Sequence, residues 1–188
     1  MKSARYPFLI LLLFSLQLAI FHSCQLTASS IDERQEPDFF KLLEDLSLSF
    51  QMPEGFEPTP TRENHDLFYN YAIKLPTDSF EVRYSVFPLA PLMERYQESL
   101  SDSNTLMINP NKIHPSSFQA NILNVSQSGT EAMPNIQYFH PSSVKKEFGA
   151  DAGGSSFFNP NSDFGKNYGL CSMVMLHKEN IADVYISF

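Results

Sequence analysis

Apolar and polar side chains alternate along the middle of the chain with the two-residue period of β-strands. Leu67–Leu75 and Phe80–Phe87 both show this alternation, and Pro76–Ser79 between them has the composition of a turn, so the pair predicts a hairpin. In the second strand the alternation predicts a buried face of Phe80, Val82, Tyr84 and Val86 and a wetter face of Glu81, Arg83 and Ser85.

Two further regions have the same period. Leu46–Met52 alternates apolar residues with serine and glutamine and predicts a strand that ends at a Pro53–Phe56 turn. Leu170–Leu176 and Ile181–Phe188 predict a closing hairpin around a His177–Asn180 turn.

Helical spacing separates these strands. Asp38 can cap a helix whose apolar residues follow the i, i+3, i+4, i+7 pattern, namely Phe39, Leu42, Leu43 and Leu46. Shorter helices are predicted over Pro91–Leu100, from Ser116 to Val125, and over Pro141–Phe148. The order of helix, strand, hairpin, helices and hairpin predicts one α+β domain over residues 38–188, in which helices pack on an antiparallel sheet.

The segment Ser49–Phe56, followed by paired strands and a closing hairpin, resembles the Mog1/PsbP-like fold group over about half of the chain. That group includes small periplasmic and lipid-anchored bacterial proteins and shares no catalytic site, so the resemblance implies no active-site residues. Phe148–Asp151 and Leu176–Asn180 also resemble the tail of uncharacterised bacterial envelope lipoproteins, which implies no activity.

The beginning of the chain has the pattern of a signal peptide. Lys2 and Arg5 precede Phe8–Phe21, a run of 14 mostly apolar residues. As a helix that run would be about 21 Å long, which is short of a bilayer core of about 30 Å. We therefore expect residues 1–23 to be a removable targeting segment.

The residues around Cys24 suggest how the mature chain begins. Phe21-His22-Ser23-Cys24 resembles a bacterial lipobox, in which a small residue precedes a cysteine that is lipidated and becomes the N-terminus. This predicts a protein anchored to a membrane of the bacterial cell envelope through Cys24, with residues 24–37 as a polar tether. The alternative is cleavage after Ala28–Ser30, which would give a soluble secreted or periplasmic protein.

Composition narrows the classes of function. The net charge of −8 becomes −10 without residues 1–23, and an acidic chain is unsuited to binding nucleic acid through its phosphates.

There are two cysteines, so lipidation of Cys24 would leave Cys171 as a single thiol. Cys171 and His177 would lie about 20 Å apart on one strand, too far for a catalytic dyad. No HxxxH or CxxC spacing occurs, so we expect no metal and no cofactor.

A glycine-rich stretch is the candidate ligand loop. Five of the seven glycines lie between residues 149 and 169, among short polar side chains. The candidate ligand residues are Asp151, Gly153, Gly154, Asn159, Asn161 and Asp163. An EF-hand loop starting at Asn159 would need glycine and glutamate where Phe164 and Leu170 stand, so a turn-rich connection is the expectation.

Aromatic residues form the remaining feature. They concentrate in and near the first predicted sheet, at Phe56, Phe68, Tyr69, Tyr71, Phe80, Tyr84 and Phe87. They predict a sheet-built core, with an apolar pocket for a lipid, glycan or peptide as the alternative. The sequence therefore predicts a lipid-anchored, non-enzymatic envelope protein that binds a partner protein or a small ligand. The alternatives are a secreted domain with an aromatic pocket and a small hydrolase or metal-binding protein that uses the Asp151–Asp163 loop.

Overall fold

A computed structural model describes residues 35–77, 80–101, 105–128 and 134–188. The predicted signal peptide 1–23, Cys24, and the tether up to residue 34 lie outside these described residues. Among the residues that are described, no helix has both the length and the apolar character needed to cross a membrane.

Within the described residues, seven antiparallel strands form one sheet, with helices packed on it, and the predicted α+β class is confirmed. The strands are β1 Glu57–Pro58, β2 Tyr71–Lys74, β3 Glu81–Pro88, β4 Ile136–Tyr138, β5 Ala152–Phe158, β6 Cys171–Lys178 and β7 Ala182–Ser187. The helices are α1 Gln35–Asp45, α2 Ala90–Ser99, α3 His114–Val125, α4 Pro141–Phe148 and α5 Ser162–Gly165, with a short 3-10 helix at Pro110–Lys112.

The strand order β1-β2-β3-β7-β6-β5-β4 describes two meanders joined edge to edge. β3 of the first meander pairs with β7 of the second, from Arg83 opposite Ser187 to Pro88 opposite Ala182. The connection from β3 to β4 contains α2, the 3-10 helix and α3, and it carries the chain from the middle of the sheet to its far edge.

Helices cover both faces of the sheet. On the face that we call the α3 face, helix α3 contributes Phe118, Ile122 and Val125 to a buried cluster with Leu67, Phe164, Cys171, Met173, Met175 and Tyr185. On the opposite face, the α1 face, helix α1 contributes Phe39 and Leu43 to a cluster with Tyr71, Ile73, Val82, Val86 and Ala182. The predicted aromatic core lies largely here, where the Phe39 and Tyr71 rings stack with centroids 4.6 Å apart.

Coverage on both sides corrects the prediction of a wetter face on β3. Arg83 is 6% exposed and Ser85 is 1% exposed. The alternation predicts a wetter face because charged and hydroxyl side chains usually face water. Both residues lie on the α3 face in the middle of the sheet, where a buried arginine needs partners for its charge.

The predicted strand over Leu46–Met52 is wrong. The segment follows α1 and has no strand partner in the part of the chain that the structure describes, yet Leu46, Leu48, Phe50 and Met52 pack against the cluster of the α1 face. Burial of alternate side chains produces the two-residue period there without a hydrogen-bonded neighbour. Asp38 lies inside helix α1, which already includes Gln35 at the start of the described residues, so Asp38 does not cap this helix.

Candidate functional site

A pocket of about 480 Å³ opens at one end of the sheet. β6 begins there at Cys171, β7 ends there at Ser187, and β3 begins there at Glu81. The loop from α5 to β6 closes the remaining side with Tyr168 and Leu170. The volume falls within the range of about 300–1,000 Å³ that is typical of small-molecule sites.

The pocket walls are mostly apolar and aromatic. Side chains reach it from both faces of the sheet end, and the apolar ones are Phe80, Phe157, Pro160, Phe164, Leu170 and Phe188. Phe157 is 57% exposed and Leu170 is 65% exposed. These two side chains therefore form an apolar rim that solvent reaches and that a bound molecule could cover.

Arg83 holds the polar part of the pocket wall in place. Its Nε donates to Glu81 Oε1 at 2.6 Å, and its Nη1 donates to the carbonyl oxygen of Phe164 at 2.6 Å. The guanidinium carbon lies 4.7 Å from the centroid of the Phe164 ring and 5.2 Å from that of Tyr69. The charge of this buried arginine is thus balanced by one carboxylate and two ring faces.

Glu81 has a less complete set of partners. Its Oε2 is contacted by the Tyr168 hydroxyl at 3.5 Å, the long limit of a hydrogen bond. Burial and the nearby negative charge of Glu81 raise the pKa of Tyr168, so the phenol keeps its proton at neutral pH. Tyr168 and Arg83 therefore both present donors to this carboxylate.

Cys171 lies against the pocket and belongs to the buried cluster of the α3 face. It has no disulfide partner within the described residues, and its side chain is buried. Burial raises the pKa of the thiol to about 12. Because the thiolate is the reactive form, the thiol is a weak nucleophile at neutral pH.

The glycine-rich segment is a strand and a short helix, which corrects the expected turn-rich loop. Gly153 and Gly154 lie inside β5, opposite Leu176 and Met175 of β6. A Cβ at Gly153 would stand 3.0 Å from the Met175 carbonyl oxygen, and one at Gly154 would stand 3.1 Å from that of Gln137. The close approach of the neighbouring strands therefore favours glycine at these positions.

The other candidate ligand residues take part in separate structural contacts. Asp151 lies before β5, where it accepts hydrogen bonds from Lys145 at 2.7 Å and from the Glu179 amide at 3.0 Å. The Lys145 ammonium lowers the pKa of this carboxyl. Asp151 is about 25 Å of strand away from Asn159, so the structure does not bring the candidate residues together.

At the far end of β5, Asn161 caps α5 by accepting from the Phe164 amide at 2.7 Å, and it donates to Asp66 Oδ2 at 2.9 Å. Asn159 donates to the carbonyl oxygen of Gly169 at 2.7 Å, which fixes the loop beside the pocket. The Asp163 side chain is exposed. Asn159 and Asn161 thus support the pocket wall.

A second polar cluster is buried at the opposite end of β6. His177 Nδ1 and Asp183 Oδ1 are 2.6 Å apart across the β6–β7 hairpin, and the His177 ring stacks on that of His114 with centroids 4.1 Å apart. Burial, and then the charge of His177, lowers the pKa of His114. His114 is the first residue of α3, and His140 caps α4.

No group of three or more histidine, cysteine, aspartate or glutamate side chains within the described ranges is placed to hold a metal ion. Sequence reasoning missed Glu81, Arg83 and Tyr168 as site residues. One signal was present: Glu81 and Arg83 are two positions apart on a strand, so their opposite charges share a face.

Together, the fold and the pocket define an α+β domain with an apolar cavity at the end of its sheet. Comparison of the chain with protein-family models, with curated proteins and with solved structures finds no match.

Proposed function

We propose that this protein is a lipid-anchored, non-enzymatic protein of the bacterial cell envelope that binds an apolar small molecule in the pocket at the end of its sheet. The observation that carries the proposal is the pocket of about 480 Å³ with its mostly apolar walls. A pocket of this size suits a small ligand better than it suits a partner protein, which usually needs a broad surface.

The state of the polar groups supports binding over catalysis. Arg83 is held by Glu81 and by the Phe164 carbonyl, and the Cys171 thiol keeps its proton at neutral pH because burial raises its pKa to about 12. A nucleophile without an activating base and an arginine held by a carboxylate and a carbonyl oxygen favour a role in shaping and orienting a ligand.

The rim of the pocket provides the test. We expect the double variant Phe157→Ala/Leu170→Ala to bind the fluorescent probe N-phenyl-1-naphthylamine about tenfold more weakly, because loss of apolar contact worth about 1.4 kcal/mol changes Kd tenfold. Both side chains are largely exposed, so the fold should tolerate their removal. Fluorescence titration of the purified protein gives the two dissociation constants.

Matched controls lie outside the pocket. Tyr138 on β4 is 57% exposed and Leu106 is 99% exposed, and neither lines the cavity. Tyr138→Ala/Leu106→Ala should bind the probe as the wild type does. Equal weakening by both double variants would mean that the probe binds exposed apolar surface in general, and the proposal would be wrong.

The anchor is tested separately. The cationic segment with Lys2 and Arg5, the apolar run to Phe21 and the following Cys24 support it. We expect the wild type and Cys171→Ser to fractionate with membranes and to incorporate labelled fatty acid, whereas Cys24→Ser does neither. Several acyl chains on one cysteine are needed for firm attachment. Soluble, unlabelled wild-type protein would contradict the anchor and favour the secreted form.

A further inference from the structure

The polar groups of the pocket differ in how far their hydrogen bonds are satisfied. Arg83 uses Nε on Glu81 and Nη1 on the Phe164 carbonyl, both at 2.6 Å, and its flat faces lie against two rings. These bonds engage two of its five N–H groups, and a ligand gains little by displacing them. Arg83 therefore has a structural role in the pocket wall.

The Glu81 carboxylate is different. Oε1 accepts the short bond from Arg83, whereas Oε2 has, among the described residues, only the 3.5 Å contact with the Tyr168 hydroxyl. The Glu81 side chain is 11% exposed, so water satisfies Oε2 poorly. A carboxylate oxygen is an acceptor only, and a buried acceptor gains most from a well-placed donor.

We propose, on the basis of the function proposed above, that the natural ligand is an uncharged aromatic or aliphatic molecule with a hydroxyl group, that this hydroxyl donates to Glu81 Oε2, and that the apolar body lies between the Phe157 and Leu170 rim. A ligand carboxylate at the same place would meet the negative charge of Glu81 at close range, and this repulsion makes it bind more weakly than the alcohol. The pocket thus selects a neutral donor against an anionic acceptor.

Three probes with the same ring system separate the contribution of a hydroxyl donor from those of apolar contact and of negative charge. 2-Naphthalenemethanol offers a hydroxyl donor, 2-methylnaphthalene offers no polar group, and 2-naphthoate offers an anionic acceptor. We expect the alcohol to bind the wild-type protein about tenfold more tightly than the hydrocarbon, as a hydrogen bond to a charged group typically supplies. The carboxylate should bind most weakly of the three.

Two variants test whether Glu81 causes the difference in affinity among the probes. In Glu81→Gln the amide oxygen can take the place of Oε1 beside Arg83, which turns the amide NH₂ toward the pocket. In this variant the carboxylate should bind more tightly than the alcohol. Tyr168→Phe keeps the ring, removes the competing hydroxyl, and should raise the ratio of the affinity for the alcohol to the affinity for the hydrocarbon above the wild-type ratio. It keeps the inference testable if Glu81→Gln does not fold.

The outcomes are distinguishable by fluorescence titration of all three probes against each protein. Saturable binding of the three probes with equal affinity would overturn the hydroxyl inference and leave apolar binding in place. An equal ratio of alcohol to hydrocarbon affinity in wild type and Tyr168→Phe would also overturn it. Absence of saturable binding of any probe would overturn both the inference and the proposed function.

Discussion

Replacing Arg83 with methionine is expected to lower the free energy of unfolding by about 3–5 kcal/mol, the typical cost of removing one partner of a buried ion pair. The Arg83 and Glu81 side chains are 8% and 11% exposed, and their bond is 2.6 Å long. Without the guanidinium, a carboxylate is left unpaired in an apolar wall and the Phe164 carbonyl loses its donor. Urea unfolding followed by circular dichroism measures the change.

Two comparisons isolate the cause. Lys74 pairs with Glu57 at 3.3 Å on the neighbouring strands, but these side chains are 44% and 49% exposed, so Lys74→Met should cost no more than about 1 kcal/mol. The double variant Glu81→Leu/Arg83→Met removes both charges and should recover most of the lost stability. If Arg83→Met costs no more than Lys74→Met, the buried pair does not hold the pocket wall as described.

Replacing Asp183 with leucine should lower the free energy of unfolding by about 1–3 kcal/mol, the cost of a buried polar group without its partner. His177 is 2% exposed, and its Nε2 already has no hydrogen-bond partner among the described residues. Asp183→Leu would leave both ring nitrogens unpartnered beside the stacked ring of His114. Urea unfolding at pH 7 measures this loss.

Asp183→Asn is the matched control, because its amide oxygen can still accept a hydrogen bond from Nδ1 of His177. It should lose clearly less stability than Asp183→Leu. Since this cluster lies at the other end of β6, about 20 Å along the strand from Cys171, probe binding should be unchanged in whichever of the two variants folds. Equal losses in the two variants would show that Asp183 acts through its charge or its packing and not through the bond to His177.

Local sequence patterns predicted correctly those helices and strands for which several neighbouring residues give the same signal. The closing hairpin and the helix Pro141–Phe148 are confirmed, the helix with the bounds predicted. Here Pro141 favours a first helical turn, and Gly149 ends the helix with a positive φ of 66°. Such signals depend on neighbouring residues only, so they can be recognised without knowledge of the fold.

Long-range contacts explain what the sequence could not show. The Phe164 carbonyl that binds Arg83 lies 81 residues further along the chain, so nothing near β3 indicates that Arg83 is buried. The alternation over Leu46–Met52 predicts burial of one side correctly, but it cannot show that no neighbouring strand is present to pair with it. The glycines at 153 and 154 indicated a loop by composition, whereas the close approach of adjacent strands selects them.

The aromatic residues noted in the sequence mark the position of the pocket only in part. The alternative of an apolar pocket named Phe80 among its aromatic residues, and Phe80 does line the cavity, whereas Phe68 is 61% exposed and does not. The end of a sheet becomes a pocket only when a loop such as that around Tyr168 covers it. That arrangement depends on how the two meanders join and is not visible in either one alone.

The most direct test of apolar binding in this pocket uses a cysteine introduced at its solvent-exposed wall as the reporter. In the Cys24→Ser/Asn167→Cys protein the new thiol replaces an exposed side chain that lines the cavity, whereas Cys171 is buried, has a pKa raised to about 12 and reacts slowly. Modification by N-ethylmaleimide is followed by mass spectrometry with increasing N-phenyl-1-naphthylamine. The account predicts that the rate falls at least about fivefold at saturation, with the midpoint at the Kd found by fluorescence, because bound probe covers the thiol. An unchanged rate at saturating probe would contradict it.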